Sequence, residues 1–314
     1  MNKRKKPSVL SLGTAYIDIN CINFPFDKGL FAHRETTGNE YLMELGGSSL
    51  NFAKICTKLD IKTMFLGKVG DDRLGNMAIK MMREQRIIPH VMLERKAHTN
   101  LAVHYIHEDG TSIMTSTGSA NQQLTKDNVT LLLSDDEYTF DYLYLGGCFK
   151  LKELLPDLYK IAKEQKAKGA IIVLDHGRIN NSVTEADLMH IKKLLPYVDL
   201  YLPSIDEFLA VWDAQTIDEA YAKASQVTKA TIVVKQGDLG ATGFVDGKKI
   251  DIPAYKVKVI NTVGAGDSFN AGLIRALSQK LPYEEAIRHA CATAAVKISD
   301  KPFNYDEIRN LLKK

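Results

Sequence analysis

The chain has 314 residues, of which 45% are hydrophobic and 25% charged, and its formal net charge at pH 7 is +3. That length supports one large α/β domain, and the near balance of charge excludes an obvious nucleic-acid or anionic-membrane binder. No apolar run approaches the roughly 18 residues that a membrane helix needs. The four cysteines lack Cys-x-x-Cys spacing, which argues against a zinc cluster and favours reduced thiols in a cytoplasmic protein.

The first part of the chain mixes strand and helix patterns. The apolar run SVLSLG (8–13) predicts a buried parallel strand, and apolar residues at helical spacing predict a helix over 48–59. A strand over 63–69, a helix over 74–85 and a strand over 90–93 follow. Residues 15–45 and 95–118 instead alternate as exposed strands, and Asp109-Gly110 is the predicted turn of a hairpin.

After about residue 120, strands alternate regularly with helices. Strand-like runs are predicted at 142–145, 170–174, 200–202 and 231–235, with helices near 151–168, 184–195, 206–211 and 218–228. This alternation indicates a doubly wound, mostly parallel sheet with helices on both faces. The two strand-rich insertions, about 15–45 and 95–118, would add a small β lid. No linker or repeat divides the chain, so residues 1–314 are predicted to form a single domain.

The stretch VINTVGAGDSFNAGLIRAL (259–277) is the strongest candidate for chemistry. A strand-like run, Val257 to Ile260, leads into Gly264-Ala265-Gly266, and a helix pattern follows. Glycines at a helix N-terminus let backbone N–H groups converge on an anion. Asp267 beside them could accept a proton from a substrate hydroxyl, or it could only cap the helix. The local pattern does not decide between these roles.

Two more segments carry polar groups near predicted strand or helix ends. In ELGGSSLNFAK (44–54), Gly47 precedes a helix and Asn51 lies one turn in, where its amide could bind sugar hydroxyls. Asp18 follows the first strand closely. Each residue also has an ordinary structural explanation, as a helix start or a turn. A Walker A loop is excluded, because no Gly-Lys-Ser/Thr follows the glycines near Asp267.

Taken together, the motifs resemble those of the ribokinase-like (PfkB) carbohydrate kinases. GGSSLNFAK, GKVGDDRLG and NTVGAGDSFNAG stand in that family's order, with GSAN (118–121), LDHGR (174–178), LPSIDE (202–207) and VVKQGDLGATGF (233–244) between them. The resemblance covers nearly the whole chain. It implies the ribokinase-like fold, with the two insertions as the lid over the sugar.

The resemblance also implies a role for each motif residue. Asp267 would be the catalytic base, and Gly264, Ala265 and Gly266 the anion hole. The implied substrate ligands are Asp18, Gly47, Asn51 and Arg178. The implied ATP-binding residues are Ser204, Lys235, Gly237, Gly240 and Cys291. Glu207 would order Mg²⁺ through water near the phosphates.

This sequence departs from the family pattern at two informative positions. Asn261 stands where many members have an aspartate that helps to bind potassium, so activity is expected to depend little on that ion. Ser204 replaces the asparagine of an Asn-x-x-Glu motif near the magnesium and phosphate groups. Other residues that differ from the family pattern lie in the expected sugar pocket, so ribose is not assumed to be the substrate.

The expected function is therefore transfer of the ATP γ-phosphoryl group to a primary hydroxyl of a sugar or sugar derivative. Because the transition state is loose, a base with an ordinary pKa of about 4 is expected to suffice. A nucleoside kinase of the same family and a non-catalytic sugar or nucleotide sensor stay open as alternatives. The expected ligands are ATP and Mg²⁺, with no nucleic-acid or membrane partner, and a homodimer through the lid is a further possibility.

Overall fold

A computed structural model describes residues 6–22, 40–107, 112–134 and 139–313. Its main sheet has nine strands in the order β13-β12-β11-β10-β9-β8-β1-β4-β5. All neighbours pair in parallel except β11–β12 and β12–β13, which are antiparallel. The strands of this sheet are β1 (Ser8–Gly13), β4 (Lys62–Gly70), β5 (Ile87–Glu94), β8 (Tyr142–Gly146), β9 (Ile171–Asp175), β10 (Leu200–Tyr201), β11 (Thr231–Lys235), β12 (Ala241–Val245) and β13 (Lys248–Ile252).

Helices cover both faces of this sheet, as the alternating pattern predicts. Ten α-helices occur in the described residues: α1 (Ser48–Lys58), α2 (Arg73–Glu84), α3 (Lys126–Leu132), α4 (Leu158–Ala167), α5 (Glu185–Leu194), α6 (Ile205–Trp212), α7 (Ile217–Ala224), α8 (Ala265–Ser278), α9 (Tyr283–Ile298) and α10 (Tyr305–Leu312). Helices α3–α7 pack their apolar sides into one buried core, and α1, α2 and α8–α10 pack into the cores of the other face. The parallel strands are almost fully buried, which is why they read as continuous apolar runs.

A second, four-stranded sheet in the order β3-β2-β6-β7 forms the lid. Its strands are β2 (Tyr16–Ile22), β3 (Glu40–Gly46), β6 (Leu101–Ile106) and β7 (Ser112–Thr117). Both insertions predicted from sequence therefore contribute to one sheet. Ile17 and Leu45 anchor it, because they are buried against α1, α2 and β4.

The strand order changes direction beside β1, whose neighbours are β4 on one side and β8 on the other. Ligand sites in open α/β sheets form beyond the carboxyl ends of the strands at such a point. The side chain of Ser49 ties the start of α1 to this place, since its hydroxyl donates to the carbonyls of Leu12 and Gly146 at 3.2 and 3.1 Å. The lid joins the domain at the same end of the sheet.

Some boundaries differ from the predictions. The run 257–260 is not a strand: it is mostly exposed and makes only an isolated bridge, between Val259 and Ser299. The helix predicted over 151–168 begins as an α-helix only at Leu158, after short 3₁₀ turns. The Asp109-Gly110 turn lies outside the described residues. The four cysteines are free thiols, and no helix in the described part of the chain has the length and apolar character that crossing a bilayer requires.

Candidate active site

The N-terminus of α8 is built on a glycine turn. Gly264 caps the helix with a φ of 76°, in the left-handed region that favours glycine. The N–H of Ala265 donates back to the carbonyl of Thr262 at 3.2 Å, so it is already occupied. The N–H groups of Gly266 and Asp267, in the first turn, have no acceptor among the described residues. The anion hole stays a prediction, and the N–H groups available to it in this turn are those of Gly266 and Asp267 rather than that of Ala265.

A second helix N-terminus meets this one. Gly47 caps α1 with a φ of 93°, and a β-carbon there would lie 2.6 Å from the carbonyl oxygen of Thr14, so only glycine fits. The next residue, Ser48, donates its hydroxyl to Oδ1 of Asp267 at 3.1 Å across 219 positions of sequence. The two glycine signatures that the sequence singled out therefore converge on the same carboxylate.

The environment of Asp267 changes its acidity. Burial, together with the nearby carboxylate of Asp175, raises the pKa of Asp267 to about 7. The ammonium groups of Lys235 and Lys54 and the Ser48 hydroxyl act in the opposite direction but do not outweigh burial. The expectation of an ordinary pKa near 4 was wrong, because the sequence alone does not reveal how deeply this carboxylate is enclosed.

Asp175, at the carboxyl end of β9, is the main site residue that sequence reasoning missed. Its Oδ2 accepts hydrogen bonds from Lys235 Nζ at 2.6 Å and from Asn270 Nδ2 at 2.6 Å, and its Oδ1 accepts one from the N–H of Gly177 at 3.2 Å. Asn270 lies on α8, three residues after Asp267. Asp175 therefore ties β9, β11 and α8 together.

This ion pair is nearly enclosed, with the side chains of Lys235 and Asp175 only 13% and 7% exposed. Burial alone would raise the pKa of Asp175, but the Lys235 ammonium and its other donors hold that pKa below its usual range. Burial likewise opposes the charge of Lys235, and the carboxylates of Asp175 and Glu207 raise its pKa above the ordinary value. Both groups are therefore ionised at neutral pH.

The residues after Asp175 form a supporting loop. The buried His176 contacts the carbonyl of Gly177 through Nδ1 at 2.8 Å, and since a carbonyl only accepts, Nδ1 carries the proton. Nε2 then accepts from the Tyr201 hydroxyl at 2.9 Å. Burial lowers the pKa of His176, which keeps this arrangement neutral. Arg178, predicted to bind substrate, is an exposed side chain in this loop.

The predicted acceptor ligands lie at the junction of the lid and α1. The sequence predicted Asp18 at a strand end. Asp18 lies instead within β2, where its carboxylate fills the space beside Gly46. His104 Nε2 on β6 lies 3.7 Å from Asp18 Oδ2. Asn51 is partly buried on α1, and its amide has no hydrogen-bond partner among the described residues. Gly47, Asp18 and Asn51 are thus brought to one region.

The predicted nucleotide residues follow β10 and β11. Ser204 caps α6 and forms an isolated bridge with Lys235, so these two segments lie side by side. Gly237 and Gly240, with φ of 60° and 102°, bracket a 3₁₀ turn. Cys291 lies on α9, 6% exposed within a hydrophobic core, and its pKa is raised to about 12 by burial. The implied role of Cys291 in binding ATP stays a prediction.

Glu207 could hold a metal only with help from other ligands. Its Oε2 accepts from the N–H of Ser204 at 2.8 Å, while no described residue donates to its other oxygen. Among the described residues there is no group of three or more His, Cys, Asp or Glu side chains that could hold a metal ion. This donor set fits Mg²⁺ as it usually binds in phosphoryl-transfer sites, through phosphate oxygens and water with one or two carboxylates.

Asn261, the position tied to potassium, is exposed, and its Oδ1 accepts a hydrogen bond from the N–H of Val263 at 2.8 Å. The amide oxygen therefore stabilises the approach to the glycine turn. The expected independence from potassium stays a prediction.

Comparison with known proteins identifies the family and the fold of the chain. Residues 6–306 match the family described as pfkB family carbohydrate kinase. The chain is 27% identical to ribokinase of Arabidopsis thaliana over 82% of its own length and 67% of the relative's. It is 24% identical to 5-dehydro-2-deoxygluconokinase of Listeria innocua over 99% of its length and 97% of the relative's. The structure of Arabidopsis thaliana ribokinase complexed with ribose and ATP superimposes with a TM-score of 0.78 at 22% identity, covering 99% and 100% of the two chains.

Proposed function

The chain belongs to the pfkB family of carbohydrate kinases, and from this premise we propose that Asp267 is its general base in phosphoryl transfer from ATP to a primary hydroxyl of a sugar or sugar derivative. The observation that carries this proposal is the meeting of two glycine-capped helix N-termini at one carboxylate. Ser48 of α1 hydrogen-bonds Asp267 of α8, where two backbone N–H groups are free.

In the proposed reaction, the hydroxyl oxygen of the acceptor bonds to the γ-phosphorus while the bond from that phosphorus to the β,γ-bridging oxygen breaks. The hydroxyl proton passes to the Asp267 carboxylate, and ADP leaves. The N–H groups of Gly266 and Asp267 and the positive end of the helix dipole stabilise negative charge on the phosphoryl oxygens. A pKa of about 7 suits this base, since it is close to the operating pH.

Mg²⁺, when bound, would neutralise charge on the nucleotide phosphates. Glu207 is the residue that we propose to hold it, through water. The free carboxylate oxygen of Glu207 and its place beside Lys235 support this assignment.

We propose that Asp18, Gly47 and Asn51 bind the acceptor. Asp18 and Asn51 offer an acceptor and an amide to sugar hydroxyls, and the glycine lets the ligand approach the backbone of α1. The two relatives above carry names for a neutral sugar and a sugar acid, so the acceptor panel should include ribose, fructose, 5-dehydro-2-deoxygluconate and a nucleoside. Phosphorylation of the nucleoside in preference to the sugars would favour the nucleoside-kinase alternative.

The direct test of Asp267 is Asp267→Asn, which keeps the size of the side chain but removes the base. Turnover should fall at least about 100-fold, the scale of general-base contributions. Binding of ATP, measured by calorimetry, should persist. Near wild-type turnover on the preferred acceptor would contradict the assignment, and Asp187→Asn, at the cap of α5, is the control for removing a carboxylate elsewhere.

We also propose that two copies associate through their lids. Tyr41 and Leu42 on β3 and Ile113 and Met114 on β7 are exposed at the two edges of the lid sheet. Exposed apolar side chains on unpaired edge strands favour association with a second chain.

A further inference from the structure

The glycine turn of α8 is flanked by lysines. A β-carbon placed on Gly266 would lie 3.4 Å from Lys235 Nζ, and one placed on Gly264 would lie 3.6 Å from Lys297 Cε. Apart from the helix itself, no other described residue comes within 4 Å of either position. The space beside these two glycines is therefore open except for the two lysine side chains.

Contacts with Asp175 and its partners hold the side chain of Lys235 in this space. Its one hydrogen bond among the described residues goes to Asp175, and an ammonium group has three donors. Asp175 in turn is fixed by Asn270 of α8 and by the N–H of Gly177. The ammonium is thus anchored at one donor, enclosed, and free to use its other two.

We propose that Lys235 is a catalytic residue that binds the transferred phosphoryl group at the N-terminus of α8, and that Asp175 is the positioning residue that holds its ammonium there. This inference rests on the proposed function, because Asp267 fixes where the acceptor and the γ-phosphorus meet. It goes beyond a general contact with the nucleotide, since it assigns Lys235 to the group in transfer.

Charge complementarity supports this assignment. A loose phosphoryl transition state spreads negative charge over the equatorial oxygens, and positioned cations stabilise it. Lys235 Nζ lies 3.4 Å from the position of a β-carbon on Gly266, one of the two residues whose N–H groups are free. Asp175 neutralises the lysine in the resting protein, which lowers the cost of burying its charge.

Two variants that remove charges distinguish a catalytic role of Lys235 from a structural one. Lys235→Met should lower turnover at least about 100-fold, because the phosphoryl group loses a charged donor. It also leaves Asp175 buried without its cation, so the variant could unfold. The double variant Lys235→Met/Asp175→Asn removes both charges, and it should regain the thermal stability of the wild type but not its activity. Recovery of activity in the double variant would overturn the proposal.

Nucleotide affinity gives a readout that needs no acceptor. If Lys235 binds the γ-phosphoryl group, Lys235→Met should weaken binding of a non-hydrolysable ATP analogue about tenfold and leave ADP binding within about twofold, measured by calorimetry with Mg²⁺. An equal loss of affinity for both nucleotides would mean that Lys235 contacts the other phosphates, and it would overturn the proposal. Lys166→Met, which breaks the pair between Lys166 on α4 and Asp199 just before β10, is the control and should change neither affinity.

The pH profile tests the positioning role of Asp175. The titratable or charged side chains that act on or respond to Asp267 are Lys54, Tyr144, Asp175, Lys235 and Lys297. Removing the Lys235 cation should move the rising limb of kcat/KM to higher pH. Asp175→Asn removes an anion and should move it to lower pH while turnover still falls. Shifts in the same direction, or none, would contradict this arrangement.

These results separate the two proposals. If Asp267→Asn stays active while Lys235→Met selectively loses the ATP analogue, the proposed base is wrong and the lysine assignment stands. If Asp267→Asn is inactive and Lys235→Met binds and turns over normally, the base stands and the lysine assignment fails.

Discussion

At the scale of single residues, the acidity of Asp267 links the fold to catalysis. In the proposed role as base, only the ionised carboxylate of Asp267 accepts the hydroxyl proton, and its pKa is about 7 in the folded protein. We therefore expect kcat/KM to rise with pH and to level off above about pH 7. The control is nucleotide affinity over the same range, which should vary much less. A rise of kcat/KM centred near pH 4 would show that the carboxylate is hydrated in solution.

The same carboxylate makes stability depend on pH. Its pKa is about 4 in the unfolded chain and about 7 when folded. Between these values the unfolded chain is ionised while the folded chain holds a proton, so stability falls as pH rises through this window, by up to about 1.4 kcal/mol per pH unit. Asp267→Asn cannot ionise and avoids this loss.

Urea unfolding at several pH values measures the effect. The stability advantage of Asp267→Asn over the wild type should grow from about pH 4 to pH 7 and stay constant above. A constant difference over the whole range would show that burial does not raise this pKa.

At the scale of elements, the start of α8 depends on the conformation of Gly264. Its φ of 76° is strained for any other residue, whereas a β-carbon there would make only an ordinary contact with Lys297. Gly264→Ala should therefore cost about 1–2 kcal/mol through backbone strain. Because the turn also sets the free N–H groups beside Asp267, we expect turnover to fall at least tenfold.

Gly169, in the turn between α4 and β9, provides the matched comparison. Its φ is 94°, and a β-carbon there would meet nothing within 4 Å. Gly169→Ala should lose similar stability in urea unfolding but keep full turnover. Equal losses of turnover in both variants would mean that Gly264 matters only for folding.

Most elements could be predicted from periodicity, because long apolar stripes and buried runs are fixed by local sequence. The run Val257 to Ile260 shows the limit of this reasoning. Its β-branched residues fit a strand, but the fold offers them no neighbouring strand, and only one isolated bridge forms. Strand pairing is a long-range property that a local pattern does not contain.

The site residues also divide into those that a local pattern predicts and those that depend on long-range pairing. The glycine turns and Asp267 carry a recognisable local signature, and the structure brings both turns together. The partnership of Asp175 with Lys235 spans 60 positions and depends on the order β9-β10-β11 in the sheet. A lysine and an aspartate at two strand ends give no sign of pairing until that order is known.

At the scale of the whole molecule, the lid sheet connects the proposed acceptor ligand Asp18 with apolar side chains exposed at the lid edges. Asp18, which we propose to bind the acceptor, lies on β2, while the edge strand β3, paired to β2, exposes Tyr41 and Leu42 by 68% and 54%. On the opposite edge, Met114 of β7 is 58% exposed. A contact between lids would therefore restrain the strand that carries Asp18.

We expect the protein to be a dimer by light scattering at micromolar concentration, and Leu42→Asp with Met114→Asp to make it monomeric, because two buried charges would oppose association. The monomer should show a raised KM for the acceptor with ATP affinity unchanged, since the lid carries Asp18 and the predicted nucleotide residues lie outside the lid. Met189→Asp, at an apolar residue of α5 that is 69% exposed and lies outside the lid, is the control and should stay dimeric. A monomeric wild type, or a dimer that survives both lid substitutions, would contradict association through the lid.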